Sequence, residues 1–349
     1  MKRPWISAAV AVLLGPVSAF AIDTVKRREG NDVGGEVKTI SRTEVVVFQK
    51  VGNKEIPIPA NEVVDIDWDG EPAEFGVARG HEAAGNYPLA LEQLTEAADK
   101  AKGLDAKIKA DINFYIARSA ARAAMADPAQ SADAIQKLKA FTSAERENFR
   151  FFEAQELLAE VALRSNDVPV ADTAFNSLTQ APWPDTKMLG KVGLARVLLA
   201  SNNLAGAKTG FDEVAAMETK TPAETSRKLQ AMLGQATCLL KQTQPAEALK
   251  IIDQVIEQAT IEETRTLAEA YVRQGDCLAA SGAGAKDAIL SYLHVDVIPA
   301  LAEERDYHAE ALYHLSKLWG AVTQPSRAAE AAAKLQQLYP NSPWAQKKD

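Results

Sequence analysis

The chain has 349 residues, 47% of them hydrophobic and 25% charged, with 39 basic against 47 acidic side chains. That is an ordinary soluble composition with enough apolar mass to bury a core. The acidic excess excludes a nucleic-acid or anionic-lipid binder, since phosphate contacts draw on Lys and Arg. Two cysteines, Cys238 and Cys277, are too few for a disulfide-built scaffold.

Residues 1–21 read as a signal peptide. Lys2 and Arg3 give the positive start, Ile6 to Gly15 the short apolar run, and Ala19-Phe20-Ala21 the small-x-small cleavage site. The run is too short to span a bilayer, which takes about 20 apolar residues, and Pro16 closes it. Cleavage after Ala21 leaves 37 basic and 47 acidic residues, a net charge of −10, in an exported chain of the periplasm or the extracellular space. No later segment is long enough to span a membrane.

From Asp23 to Trp68 the pattern is β. The runs Glu36–Ile40, Glu44–Phe48, Glu55–Ile58 and Val63–Trp68 are separated by Gly34-Gly35, Ser41-Arg42 and Gly52-Asn53, and Asp23–Arg27 is the candidate fifth strand. Such a meander can curl into a small five-stranded barrel and so avoid open edges. Over residues 22–70 it resembles bacterial SH3-like or Sm-like barrels in strand count and turn placement.

After Asp69-Gly70-Glu71-Pro72 the period becomes 3.6 and stays so over 71–349. Helices come in pairs, punctuated at Gly85-Asn86, Asp127-Pro128, Asn166-Asp167, Asn202-Asn203, Gln244-Pro245, Ser281-Gly282 and Gln324-Pro325. Each second helix repeats Ala, a large residue four later and an apolar residue three after that. The series is Ala90/Leu94/Ala97, Ala134/Leu138/Phe141, Ala171/Phe175/Leu178, Ala207/Phe211/Val214, Ala248/Ile252/Val255, Ala288/Tyr292/Val295 and Ala328/Ala332/Leu335. Seven matches at a near-constant period mean a repeat array.

This pattern resembles the tetratricopeptide repeat, which pairs helices through a Gly-rich turn and carries Ala and Phe/Tyr/Leu in the second helix. Gly85, Tyr87, Ala90, Leu94 and Ala97 fit it best, and Tyr339-Pro340 closes the array. The spacing exceeds the family's 34 residues, so helices or connections must be longer. The resemblance implies a mainly α, right-handed solenoid of about seven hairpins whose first helices line a concave face. Groove positions carried over unit by unit are Phe75 and Arg79, then Tyr115, Arg118 and Arg122, then Glu153, Glu156, Glu160 and Arg164. Arg196, Arg273, Tyr313 and Lys317 follow in later units. Arginine's planar fork suits a partner's carboxylates. The same arginines could instead pair with Glu on adjacent helices, as solvated helical surfaces commonly do.

Other chemistry is thinly represented. Asp65-Ile-Asp67-Trp-Asp69-Gly70 opens like a calcium loop, but position twelve is Gly76, not Glu, and the preceding segment reads as strand. Alternating Asp on a strand more simply forms its solvated face, with Ile66 and Trp68 inward. His81, His294, His308 and His314 have no zinc spacing, and no nucleophile, phosphate-loop or dinucleotide motif occurs. Cys238 and Cys277 lie on first helices of adjacent hairpins, where an ~8–10 Å helix spacing favours free buried thiols over a bridge. No enzyme, cofactor or metal is expected. The expected function is a non-catalytic protein-binding scaffold of the cell envelope with a protein or peptide partner, an acidic one if the arginines are free. The alternative is a cell-wall or glycan-associated protein binding through the SH3-like domain. The sequence sets no oligomeric state.

Overall fold

The computed structural model describes residues 22–282 and 284–347. The signal peptide and its cleavage site after Ala21 lie outside the described residues.

Five strands come first: β1 (Asp23–Arg27), β2 (Val33–Ile40), β3 (Glu44–Gln49), β4 (Lys54–Pro59) and β5 (Val63–Asp67). They form one antiparallel sheet in the order β4-β3-β2-β1-β5. The sheet is open, which corrects the expected barrel. Its two edges are finished separately. Pro57 and Pro59 remove two N–H groups that β4 could offer a closing strand, and the Val64 carbonyl on β5 accepts from Arg150 Nη1 at 3.0 Å. Gly34-Gly35 also proves to lie inside β2 and not between strands. A Cβ on Gly35 would sit 2.6 Å from the Phe48 carbonyl oxygen, so only glycine lets β2 press this close to β3.

The helices follow in hairpins. They are α1 (Ala73–Ala83) with α2 (Tyr87–Lys100), α3 (Ala106–Ala126) with α4 (Ser131–Ala144), α5 (Phe151–Arg164) with α6 (Val168–Leu178), and α7 (Pro184–Ala200) with α8 (Leu204–Ala215). Then come α9 (Pro222–Lys241) with α10 (Pro245–Gln258) and α11 (Thr264–Ala280) with α12 (Ala285–Val297). A short α13 (Pro299–Ala302) precedes the last pair, α14 (Arg305–Ala321) and α15 (Pro325–Leu338), and α16 (Pro343–Gln346) ends the fold. The seven turns fall where the sequence places them. Six contain a left-handed residue: Gly85, Asn166, Asn202, Thr243, Gly282 and Thr323. In five of these an N–H bonds back to the sixth-last carbonyl, as in Asn86 to His81 at 2.9 Å and Asp167 to Ala162 at 2.7 Å, which satisfies a helix-end acceptor.

Each second helix packs between its own first helix and the next. The Ala/large/apolar positions are buried in the first six hairpins, none more than 4% exposed. The seventh departs from the expected pattern. There Ala331 and Leu335 are buried and Ala332 is exposed. The α16 residue Trp344 covers that end instead, with its ring 5.3 Å from Tyr313. Glycines in the first helices receive the large residues: a Cβ on Gly193 would come within 2.0 Å of the Phe175 ring, and one on Gly234 within 2.4 Å of Phe211. Cys238 and Cys277 are free and buried.

The sheet is not a separate body. Val25, Val37, Val47, Ile66 and Trp68 share one apolar core with Phe75, Leu94, Ile112 and Phe114 of the first hairpins. The change of period near residue 70 is therefore not a break in packing.

Candidate functional site

The first helices carry a ladder of opposite charges. Arg118 on α3 donates from Nε and Nη2 to Glu82 on α1 at 3.0 and 2.7 Å, and from Nη1 to Glu153 on α5 at 3.2 Å. Arg196 on α7 donates to Glu160 on α5 at 2.6 and 3.2 Å. Tyr307 on α14 donates to Glu269 on α11 at 2.7 Å, and Arg273 on α11 to Glu310 on α14 at 2.8 Å. One contact skips a repeat: Arg227 on α9 reaches Glu156 on α5 at 3.8 Å. Only helices on the inside of a curve approach one another across an intervening repeat, so this ladder lies on the concave face.

Its centre is α5, where Glu153, Glu156 and Glu160 share one helix face. Burial would raise the Glu160 carboxyl, but Arg196 beside it outweighs that and holds it below the usual range. Burial also acts on Glu156, and with only the longer contact to Arg227 its carboxyl is pushed up. The arrangement can accept and donate hydrogen bonds along a trough, but it has no nucleophile–base pair.

The residues expected in the groove separate into two sets. Phe75, Arg79 and Tyr115 do not line it. Phe75 is fully buried, Tyr115 meets it edge-on at 5.1 Å, and Tyr115 OH donates to Asp65 at 2.9 Å. Arg79 donates to Asp65 at 3.3 Å, to the Ile66 carbonyl at 3.0 Å, and to Glu71. These three seal the sheet onto α1 and α3, because the sheet occupies the end of the groove that the first repeat would leave open. Arg118, Arg122, Arg196 and Arg273 do belong to the ladder, yet each has a carboxylate within 3.4 Å. The concave face is thus a neutralised mosaic and not a free positive stripe. Tyr313 lies under Trp344 and Lys347, and Lys317 sits 5.5 Å over the Tyr313 ring.

Of the expected solvated strand face only Asp67, 43% exposed, meets solvent; Asp65 is mostly covered. Asp65 meets Arg79, Arg150 and Tyr115, and Asp67 meets Lys26 at 2.8 Å. Ile66 and Trp68 do face inward. Among the described residues no group of three or more His, Cys, Asp or Glu is arranged to hold a metal.

Arg150 carried no signal in the sequence reading. It is 2% exposed, bonds Asp111 Oδ1 at 3.3 Å and Asp65 at 3.2 Å, and stacks 4.9 Å over Phe114. Asp111 also accepts from Trp68 Nε1 at 2.9 Å. The ladder itself did leave a signal: its partners are 35, 36, 37 or 38 residues apart, one repeat period, with opposite charge.

A separate cleft of about 780 Å³ opens between the sheet and the start of α3, with Ile22, Phe48, Val51, Trp68, Lys107 and Ile108 on its walls.

No protein-family model matches this sequence, and no curated protein matches it. Among solved structures, a tetratricopeptide repeat protein from Parabacteroides merdae superposes with a TM-score of 0.52 at 16% identity, covering 76% of this chain and 91% of that one. Rap protein complexed with competence and sporulation factor superposes with a TM-score of 0.51 at 14% identity, over 79% of this chain and 76% of that one. These likenesses show the fold: the helical part is a tetratricopeptide-type solenoid.

Proposed function

We propose that the chain is a non-catalytic scaffold of the cell envelope that holds a protein or peptide partner along its concave face. The observation that carries this is the ladder, two runs of hydrogen-bonding side chains, from α1 to α7 and from α11 to α14, that the first helices turn to one side. Export rests on the leader-like residues 1–21. Because the ladder's arginines already have carboxylates, the fitting partner presents both signs of charge and replaces internal pairs with its own, and it is not simply acidic. Rap, complexed with a factor on a similar fold, lends the reading support by analogy alone.

A second reading is favoured by the cleft on the sheet. Its exposed Val51, 92% accessible, and the nearby Phe48 and Lys107 offer an apolar wall with a cation, which suits a glycan or cell-wall ligand. The shared core rules out testing the two by cutting the chain near residue 70. Photo-crosslinking residues placed in the whole mature chain at Arg122, at Arg196 and at Val51 separate them. The concave-face reading expects envelope-protein adducts from Arg122 and Arg196; adducts from Val51 alone would transfer the function to the cleft.

A further inference from the structure

Arg164 is the last residue of α5, and Asp306 the second of α14, 142 residues away. Arg164 Nη2 donates to Asp306 Oδ1 at 2.5 Å and Nη1 donates to Oδ2, a two-pronged pair. The helices between them pack on their sequence neighbours and on the next first helix along: α5 on α7, α7 on α9, α9 on α11, α11 on α14. The superhelix therefore comes round until its last hairpin meets its third. The meeting is not an apolar seam. The two side chains keep 27% and 38% of their exposure, and a cleft of about 300 Å³ lies beside them, walled by Met125, Pro128, Arg305 and Tyr339.

We infer that Arg164 and Asp306 form a clasp that closes the solenoid into a ring over its own concave face, and that the ring opens when the clasp is broken. A part-exposed ion pair is weak and screened by salt. Behind it stand the long Arg227–Glu156 contact and the attraction of the Arg196–Glu160 pair to Arg265 and Glu269 across the concave face, which salt also screens. From α7 onward the core is divided into separate clusters around α7–α9, α9–α11 and α11–α15, so small rotations between hairpins can add up without tearing one continuous core. The occupant of the clasp is the chain itself. The bearing of this clasp on partner access rests on the concave-face use proposed above, whereas ring closure does not.

Small-angle scattering of the whole mature chain reads closure without any partner. For the native chain the radius of gyration should shift upward between about 0.1 M and about 1 M salt, where the screening length falls from about 10 Å to about 3 Å. Arg164→Glu should already be expanded at low salt and lose that salt dependence. The charge-swapped chain, Arg164→Asp with Asp306→Arg, should return to the native low-salt value. Circular dichroism checks that helicity is kept, as expected for two part-exposed positions. Identical scattering of Arg164→Glu and the native chain at both salt levels would overturn the clasp, and so would failure of the swap to restore compactness.

Discussion

From β1 into α7 a single apolar core runs unbroken, crossed by charged side chains that solvent hardly reaches; from the other side of α7 onward the core falls into three clusters. The difference has a physical source. A solenoid hairpin meets only its neighbours, so its contacts are local and its core segments by repeat. The sheet breaks that rule at one end. It reaches α1, α3 and α5 at once through Arg79, Lys107 and Arg150, the last bonding the Val64 carbonyl 86 residues earlier in the chain. The sheet thus works as a cap that ties three hairpins together, and among the described residues α16 takes that place at the far end.

Breaking the largest tie should show this most clearly. Arg150→Met leaves Asp111, 1% exposed, without the guanidinium that pairs with it and strips Asp65 of one of two arginines. Removing one partner of a buried pair costs about 3–5 kcal/mol. Arg164→Met, which breaks an exposed pair between distant hairpins, should cost under about 1 kcal/mol. Chemical denaturation of the two variants checks the contrast, and equal costs would mean that the sheet is not the stronger tie.

Overpacking comes next. Gly193→Ala drives a methyl into Phe175 within the continuous core, and Gly234→Ala drives one into Phe211 within a separate cluster. Each should cost about 1–3 kcal/mol. Hydrogen exchange distinguishes them: Gly193→Ala should weaken protection from the sheet through α7, while Gly234→Ala should weaken it only around α7 to α9. Equal spread from both sites would contradict a segmented core.

How much of this was legible in the sequence follows the same division. The hairpins, their turns and the second-helix positions were readable because they repeat, and repetition turns weak local signals into a strong one. The ladder was half readable, since its residues were named but their partners one period away were not paired off. Arg150 and Asp111 were invisible. They act once, between elements about 40 and 86 residues apart, and no period announces them. The open sheet was missed because closure depends on what covers each edge, and for β5 that cover is a side chain at the start of α5, 86 residues away in the chain.

A titration compares the halves with one group from each. Burial pushes the Glu71 carboxyl up to about 7, with Arg79 offsetting part, and pushes Glu310 up to about 7 against Arg273. Both normally titrate near 4.5. A carboxyl raised on folding holds its proton in the folded state while the unfolded chain has lost it. Its contribution therefore lowers stability as pH rises from about 4.5 to about 7, the reverse of a salt-bridged carboxylate. Glu71→Gln and Glu310→Gln should each gain relative to the native chain between pH 5 and pH 8, by about 1–3 kcal/mol at one unit per 1.4 kcal/mol. Melting at the two pH values measures it; a gain that does not grow with pH would show that Arg79 or Arg273 keeps the group ionised.

The smallest effect lies in the turns. Where the first four hairpins need a left-handed residue they use Gly85, Asn166 and Asn202; two later ones use Thr243 and Thr323, at φ of 59° and 60°. The bond that closes the turn is the same in both sets: Asn203 N–H to the Leu198 carbonyl at 2.8 Å, Gln244 N–H to Leu239 at 2.9 Å, and Gln324 N–H to Trp319 at 2.9 Å. Only the side chain differs, and a β-branched residue at positive φ is strained by about 1–2 kcal/mol, which asparagine largely escapes. Thr243 recovers part of that through its hydroxyl, which donates to the Gln242 carbonyl at 2.6 Å. Thr243→Asn and Thr323→Asn should therefore stabilise by about 0.5–1 kcal/mol, with Thr323 gaining more, and Asn202→Thr should cost a similar amount. A segmented core lets hairpins open one at a time, so the gain should appear in their hydrogen exchange before it appears in the global melt. If Asn202→Thr is neutral, the turn tolerates branching and the two halves do not differ here.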